Sequence, residues 1–272
     1  MAIWAVMTSP MPALFLGHGS PMTAITDGPE RRAWQALGKA LPRPKAILAV
    51  TAHWETRGAS HVTVGAAPRT IHDFRGFPQA LYDIRYPAPG SPELVNRVVD
   101  LLGADQVAQD TSWGFDHGAW GVVQPMFPAA DIPMVAMSLD RGLSPAQHFA
   151  LGRALTPLRD EGILLVGSGN VIHNLAFWRQ TMGTQPDWAI DFRARTNAAI
   201  LAGDDAALID LAPDDQAAAL AVNSAEHYLP LLYVLGARRP GDGTALFSDT
   251  LDGALSMTSV LIGDPMLLDG IV

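Results

Sequence analysis

Three times along this chain a short apolar run ends at small residues and then delivers a histidine. The segments are ALFLGHGSP (13–21), AILAVTAHWE (46–55) and GILLVGSGNVIHN (162–174), carrying His18, His53 and His173. An unbroken run of Ala, Leu, Ile and Val bounded by Gly or Pro predicts a strand buried on both faces, as in a parallel sheet. PMVAMSLD (133–140) has the same character, and ASHVTVGAA (59–67) predicts a further strand. Helical periodicity marks PERRAWQALGKAL from Pro29, ELVNRVVDLLGA with its Gly stop, and SPAQHFALGRALTPLRDEG, with Ser144 as N-cap and Pro145 next. A helix is expected from about Asn170, followed by DWAIDFRARTNAAILAG, DDAALIDL and SAEHYLPLLYVLGA, where Pro230 marks a start or a kink. The last segment, TALFSDTLDGALSMTSVLIG, predicts two strands joined through Asp-Gly as a hairpin.

Strands alternating with helices place the chain in the α/β class, with helices on both sides of a sheet. There is no repeat, low-complexity tract or convincing linker, so a single catalytic domain is expected over 13–272 after a short N-terminal extension, 1–12. Met7 and Met11 are alternative starts. Ligands of open α/β sheets bind beyond the carboxyl ends of the strands. Three imidazoles leaving three strand ends would meet there, and imidazole is the commonest metal-binding side chain.

Composition narrows the metal. With no cysteine among 272 residues, a metal must sit on His, Asp or Glu. That excludes a thiolate zinc site or an iron–sulfur cluster and suits Zn, Fe or Mn better than Cu(I). A net charge of −9 argues against nucleic acid or an anionic membrane as the main partner. No apolar stretch reaches the roughly 18 residues of a membrane span, and the opening residues lack a positive leader, so a cytoplasmic location is expected.

Eight histidines are present, and they carry unequal weight. His61, alternating in a strand, and His148, in mid-helix, are expected as surface or partly buried structural residues. His72 lies in the Pro-, Gly- and aromatic-rich stretch 68–92, a long loop expected to lie over the site, where Asp73 and Phe74 are better pocket candidates. His117, in Asp-His-Gly, is either a turn residue or an acid/base group held by Asp116. His227 alone is a weak signal, although Glu226 beside it adds a carboxylate. Gly167-Ser168-Gly169 lacks the third glycine of a dinucleotide loop, and no H-E-x-x-H, P-loop or G-x-S-x-G motif occurs.

Seven segments in order, FLGHGSP (15–21), TAHWE (51–55), HDFRGFP (72–78), YPAPG (86–90), FDHGAW (115–120), VGSGNVIHNL (166–175) and AEHYLPLLYVLGA (225–237), make the chain resemble one family. It is similar to the class III extradiol ring-cleavage dioxygenases of the LigB type, in the 4,5-DOPA extradiol dioxygenase-like branch. The resemblance implies that His18, His53 and His227 are metal ligands. It implies that His173 is the acid/base histidine, close enough to act as a fourth ligand in a resting zinc form, and that His117 contacts substrate. His72 where Tyr is common, and Phe115 where Leu is common, are departures that bear on substrate preference.

The implied reaction is opening of a catechol (DOPA-like) ring by O2 on Fe(II), with Zn(II) in the as-purified protein. A small aromatic diol and O2 are then the partners, and a homo-oligomer is left open. Trp54, Phe74 and Trp120 are candidates to pack on the substrate ring, or are ordinary core aromatics. Two rivals use the same imidazoles: a zinc-dependent amide or ester hydrolase, and a metal-supported binding module without turnover.

Overall fold

A computed structural model describes residues 9–212 and 214–271. The strands are β1 (Ala13–Gly17), β2 (Ala46–Thr56), β3 (Ser60–Thr63), β4 (Val107–Asp110), β5 (Met134–Asp140), β6 (Ile163–Gly169), β7 (Gly243–Phe247), β8 (Leu251–Asp252), β9 (Leu255–Ser256) and β10 (Ser259–Gly263). The helices of the first half are α1 (Pro29–Ala40), α2 (Gln79–Tyr82), α3 (Pro92–Leu102) and α4 (His117–Met126). Those of the second half are α5 (Pro145–Ala154), α6 (Pro157–Asp160), α7 (Leu175–Thr181), α8 (Asp187–Ala202), α9 (Asp205–Ile209), α10 (Gln216–Ala221) and α11 (Leu229–Gly236).

Eight strands form one sheet in the order β4-β3-β5-β2-β6-β1-β10-β7. Its centre, β5-β2-β6-β1, is parallel, and β10 and β7 extend it antiparallel beyond β1. The predicted two-sided burial holds position by position. Phe15, Leu48, Val50, Leu165 and Val135 enter one core, and Leu14, Ile47, Ala49, Leu164 and Met134 enter the other. The first core is closed by α3, α5, α8 and α11 through residues such as Val98, Phe192 and Leu232; the second is closed by α1 and α4 through Trp34, Leu37 and Trp120. Each such side chain contributes roughly 1.5–3 kcal/mol when taken out of water, which explains why so few charges are needed inside.

Several predicted boundaries shift, each for a local reason. β2 does not stop at His53 but runs to Thr56, with a register shift between Val50 and Glu55. The 170s helix opens at N-cap Asn174, whose side chain accepts from Phe177 N, so His173 precedes it. Pro157 interrupts the long 144–162 helix and leaves α5 and α6, with a capping box at Ser144–Gln147. Pro230 starts α11 without kinking it, so His227 sits in the turn before that helix. The C-terminal hairpin forms as β7–β10, and Asp252-Gly253 turns a second, two-residue ladder, β8–β9, near its tip. His61 is partly buried, as expected, but His148 is fully buried, with Nδ1 3.1 Å from the Tyr233 hydroxyl. Met7 lies outside the described residues, and Met11 is fully buried.

Candidate metal centre and cavity

The sheet delivers two of the histidines from β1 and β2, the parallel strands on either side of β6, and a turn delivers the third. His18 follows β1 directly, with its amide donating to Gly169 O, and Gly19 takes a left-handed φ of +56° that turns the chain away. His53 lies in the irregular part of β2, where Thr51 Oγ1 donates to Asp116 Oδ1 at 2.7 Å. Asp116 is buried and also caps α4, so one carboxylate ties His53's strand to the helix that begins with His117. His227 comes from the turn before α11. That turn lies so close to β6 that a Cβ on Gly169 would collide with the His227 carbonyl.

The rings converge. Centroids of His18 and His53 are 4.8 Å apart, and each is 5.2 Å from that of His227. The three offer ring nitrogens that all lie within 4.8 Å of one another. His53 Nε2 and His227 Nε2 face each other at 3.3 Å. Two nitrogens about 2.1 Å from a shared ion, at angles between octahedral and tetrahedral, stand about 3.0–3.4 Å apart, so the pair fits a divalent metal. The opposite edge of each ring is occupied. His53 Nδ1 donates to Asp73 Oδ2 at 2.7 Å, His227 Nδ1 to Glu226 Oε1 at 3.0 Å, and His18 Nδ1 pairs with Ser168 Oγ at 3.0 Å. Such partners fix the ring so that the remaining nitrogen presents its lone pair, the usual outer layer of a histidine metal site.

Electrostatics agree. Burial, reinforced by the neighbouring imidazoles, pushes His18 well below its usual value. Burial likewise takes His227 down to about 4, against the opposing pull of Glu226. Burial also lowers His53, but its hydrogen bond to Asp73 and the charges of Asp116, Asp73 and Glu226 outweigh it and leave a net rise. Glu226 is held at about 2, because the His227 hydrogen bond overcomes the effect of burial. Asp73 is driven far below the carboxylate range by hydrogen bonds from His117 and His53, despite burial. The two carboxylates are therefore ionised and the imidazoles around them are mostly neutral donors of lone pairs.

His173 and His117 flank this trio. His173 stacks on His227 with centroids 3.4 Å apart and planes 9° from parallel. A ring nitrogen of His173 also lies within 4.8 Å of one of His227 and of a Glu226 carboxylate oxygen. Burial and the His227 charge lower His173 to about 3, so it is a neutral proton acceptor. His117 shares Asp73 with His53: its Nδ1 and its amide both donate to Asp73 Oδ1 at 2.9 Å, and His53, Asp73 and His117 offer ligand atoms within 4.8 Å of one another.

A cavity of about 460 Å³ opens over these five histidines, within the range of small-molecule sites. Its walls are Phe74, Phe77, Trp178, Leu175, Leu255 and Pro21, with Arg75 and Arg179 among the lining residues. Phe74 was expected there. Asp73 is not a wall residue; it stands behind His53 and His117, side chain 19% exposed although its backbone is open. Trp54 and Trp120 are in the core instead of on the cavity: Trp54 stacks on Trp113, and Trp120 donates Nε1 to Ile71 O. His72 hydrogen-bonds Ile84 O beneath Phe74 and Trp120. Phe77, Trp178 and the two arginines were missed. No periodicity or spacing marks them, because loop 68–92 and α7 reach the cavity only in three dimensions.

Residues 12–241 match the family described as the catalytic LigB subunit of aromatic ring-opening dioxygenase. The chain is 50% identical over 260 residues to the 4,5-DOPA dioxygenase extradiol of Escherichia coli strain K12, covering 93% of this chain and 95% of that protein. It is 38% identical to the protein of the same name from Beta vulgaris, covering 89% and 92%. The crystal structure of an uncharacterized Escherichia coli K12 protein, JW3007, matches with a TM-score of 0.78 and 44% identity, over 93% of this chain and all of that one. The chain belongs to the LigB family and is an extradiol ring-opening dioxygenase, a metal-dependent enzyme acting on an aromatic substrate with O2.

Proposed function

We propose that the enzyme opens the ring of a catechol with a DOPA-like side chain, at Fe(II) held by His18, His53 and His227. The observation that carries this reading is the convergence of three imidazoles whose Nδ1 edges are all engaged, leaving their other edges for one ion. Fe(II) supplies a Lewis acid with open positions and the redox capacity to use O2. The chain's own residues do the rest. Phe74 and the neighbouring apolar walls hold the ring and keep water from the floor of the cavity. His173, neutral and beside the trio, takes the proton of a catechol hydroxyl and later returns one. His117, with Nδ1–H committed to Asp73, offers Nε2 as an acceptor toward a substrate hydroxyl.

We further propose that 13–272 act as one catalytic domain in the cytoplasm, and that Zn(II), which outcompetes Fe(II) at imidazole sites, fills the centre after aerobic purification. Among the described residues no helix is long and apolar enough to cross a membrane. The family match gives the hydrolase and binding-module alternatives no support.

Anaerobic exchange of the purified protein to Fe(II), followed by catechol and oxygen, tests the assignment. Oxygen uptake with a yellow ring-opened product is expected, and His18→Ala and His53→Ala should lose metal and turnover together. His173→Ala should keep its iron while turnover falls roughly 10²–10⁴-fold, the range for a lost acid–base group. Full iron with unimpaired turnover would remove His173 from the mechanism.

A further inference from the structure

We propose that Arg75 and Arg179 act as a charge filter on the cavity, favouring catechols whose ring substituent ends in a carboxylate over those whose substituent carries only an ammonium. The proposal rests on the ring-opening reading above and adds to it the charge of the side chain.

Both arginines line the cavity, Arg75 from the loop after Asp73-Phe74 and Arg179 from α7. Elsewhere the exposed arginines mostly hold acids: Arg195 binds Asp191 and Asp215, and Arg32 binds Asp27. Arg75 and Arg179 make no hydrogen bond or ion pair among the described residues. Arg57, Arg69 and Arg153 also lack side-chain partners there, but they lie away from this cavity. No Asp or Glu lines the cavity, and the nearest carboxylates, Asp73 and Glu226, are engaged behind the imidazoles. In a chain of net charge −9, the wall of this one cavity is thus locally cationic. Guanidinium presents forked donors that match a carboxylate, and its charge opposes an ammonium. With the ring held against Phe74, Phe77 and Trp178, a substituent leaving the ring has these two side chains to meet. The expected order of preference is catechol alkanoic acid, then zwitterionic amino acid, then amine.

The probes are 3-(3,4-dihydroxyphenyl)propionate, DOPA and dopamine, which share the ring and differ in charge. Dissociation constants are measured anaerobically on metal-loaded protein by tryptophan quenching, and kcat/KM is then measured with O2. At low salt the acid should bind at least about tenfold more tightly than the amine, with the difference shrinking as salt rises. Arg75→Gln and Arg179→Gln should each cut that ratio about 3–10-fold, the double variant should nearly abolish it, and Arg179→Lys should retain part of it. Equal binding of acid and amine by the wild type, or an unchanged ratio in the double variant, overturns the filter. Binding in the expected order without oxygen uptake would sink the ring-opening reading and leave the filter standing. Ring opening without charge preference would do the reverse.

Discussion

Asp73 is the residue on which the tautomers of the centre depend, and Asp73→Asn isolates that dependence with almost no change of shape. Its two oxygens accept from His53 Nδ1 at 2.7 Å and His117 Nδ1 at 2.9 Å, so both rings must carry their proton on the outer nitrogen. An amide has one oxygen and one NH2. It can satisfy one of the two imidazoles, and the other then faces a donor. If that ring is His53, it must move its proton to Nε2, the nitrogen that faces His227 Nε2 at 3.3 Å, and its lone pair is lost to the ion. Outer-layer partners of metal-binding histidines typically govern affinity by 10–100-fold, or about 1.4–2.7 kcal/mol. The assay is chelator competition with Zn(II), and anaerobically with Fe(II), at a pH where the wild type is fully loaded. Asp73→Asn should weaken the metal within that range, and Asp73→Ala at least as much. Replacing His117 as well, in an Asp73→Asn/His117→Ala protein, removes the competing imidazole and leaves only the residue-117 N–H to share the amide oxygen with His53, so part of the loss should be recovered. An Asp73→Asn protein within twofold of wild-type affinity would refute the argument that this carboxylate sets the ligand tautomer.

Three further outcomes follow from the fold. Burial, partly offset by Asp140, lowers His148 from 6.5 to about 4, so the unfolded chain takes up the proton first as pH falls. Its contribution is fully present above about pH 6.5 and is lost by about pH 4, and His148→Phe should flatten the urea-unfolding profile over that window by up to about 3 kcal/mol relative to wild type; identical slopes would contradict this. Arg159 is fully buried and donates to Met11 O, Ala237 O and Asp242, so Arg159→Met should destabilise by about 3–5 kcal/mol in denaturant titration, less if Asp242→Asn accompanies it. Gly169→Ala should cost about 1–3 kcal/mol and weaken metal binding, because its methyl displaces the His227 carbonyl that accepts from Asn170 N; unchanged metal affinity would show that the turn relaxes freely.

The strands were legible because burial on both faces leaves an uninterrupted apolar run, and β1, β2, β5 and β6 all carry one. Helix α4 was not, since Gly118, Gly121 and Pro125 mask its periodicity and its N-cap, Asp116, also serves β2. Short β4 is polar on one side and pairs only with β3, so its sequence looks like loop. His148 was misjudged because a mid-helix position says nothing of what packs there, whereas Gly152 one turn on lets α11 approach α5 closely enough to bury it. His18 and His53 were visible as strand-end histidines. His227 needed the family resemblance, since its link to the others runs through contacts 174 residues apart.

The arrangement of small residues explains why those contacts form at all. β1 and β2 are not neighbours; β6 lies between them, so their backbones stand roughly two strand spacings, about 9–10 Å, apart. Imidazoles from His18 and His53 meet across that gap only if the intervening strand raises no bulky side chain between them. At this level β6 offers Gly167, Ser168 and Gly169, and Ser168 hydrogen-bonds the His18 ring instead of blocking it. The same absence of a Cβ at Gly169 admits the His227 turn from the α11 side. The Gly-Ser-Gly that resembled a fragment of a nucleotide loop is therefore a gap in the sheet surface, and three histidines close over it.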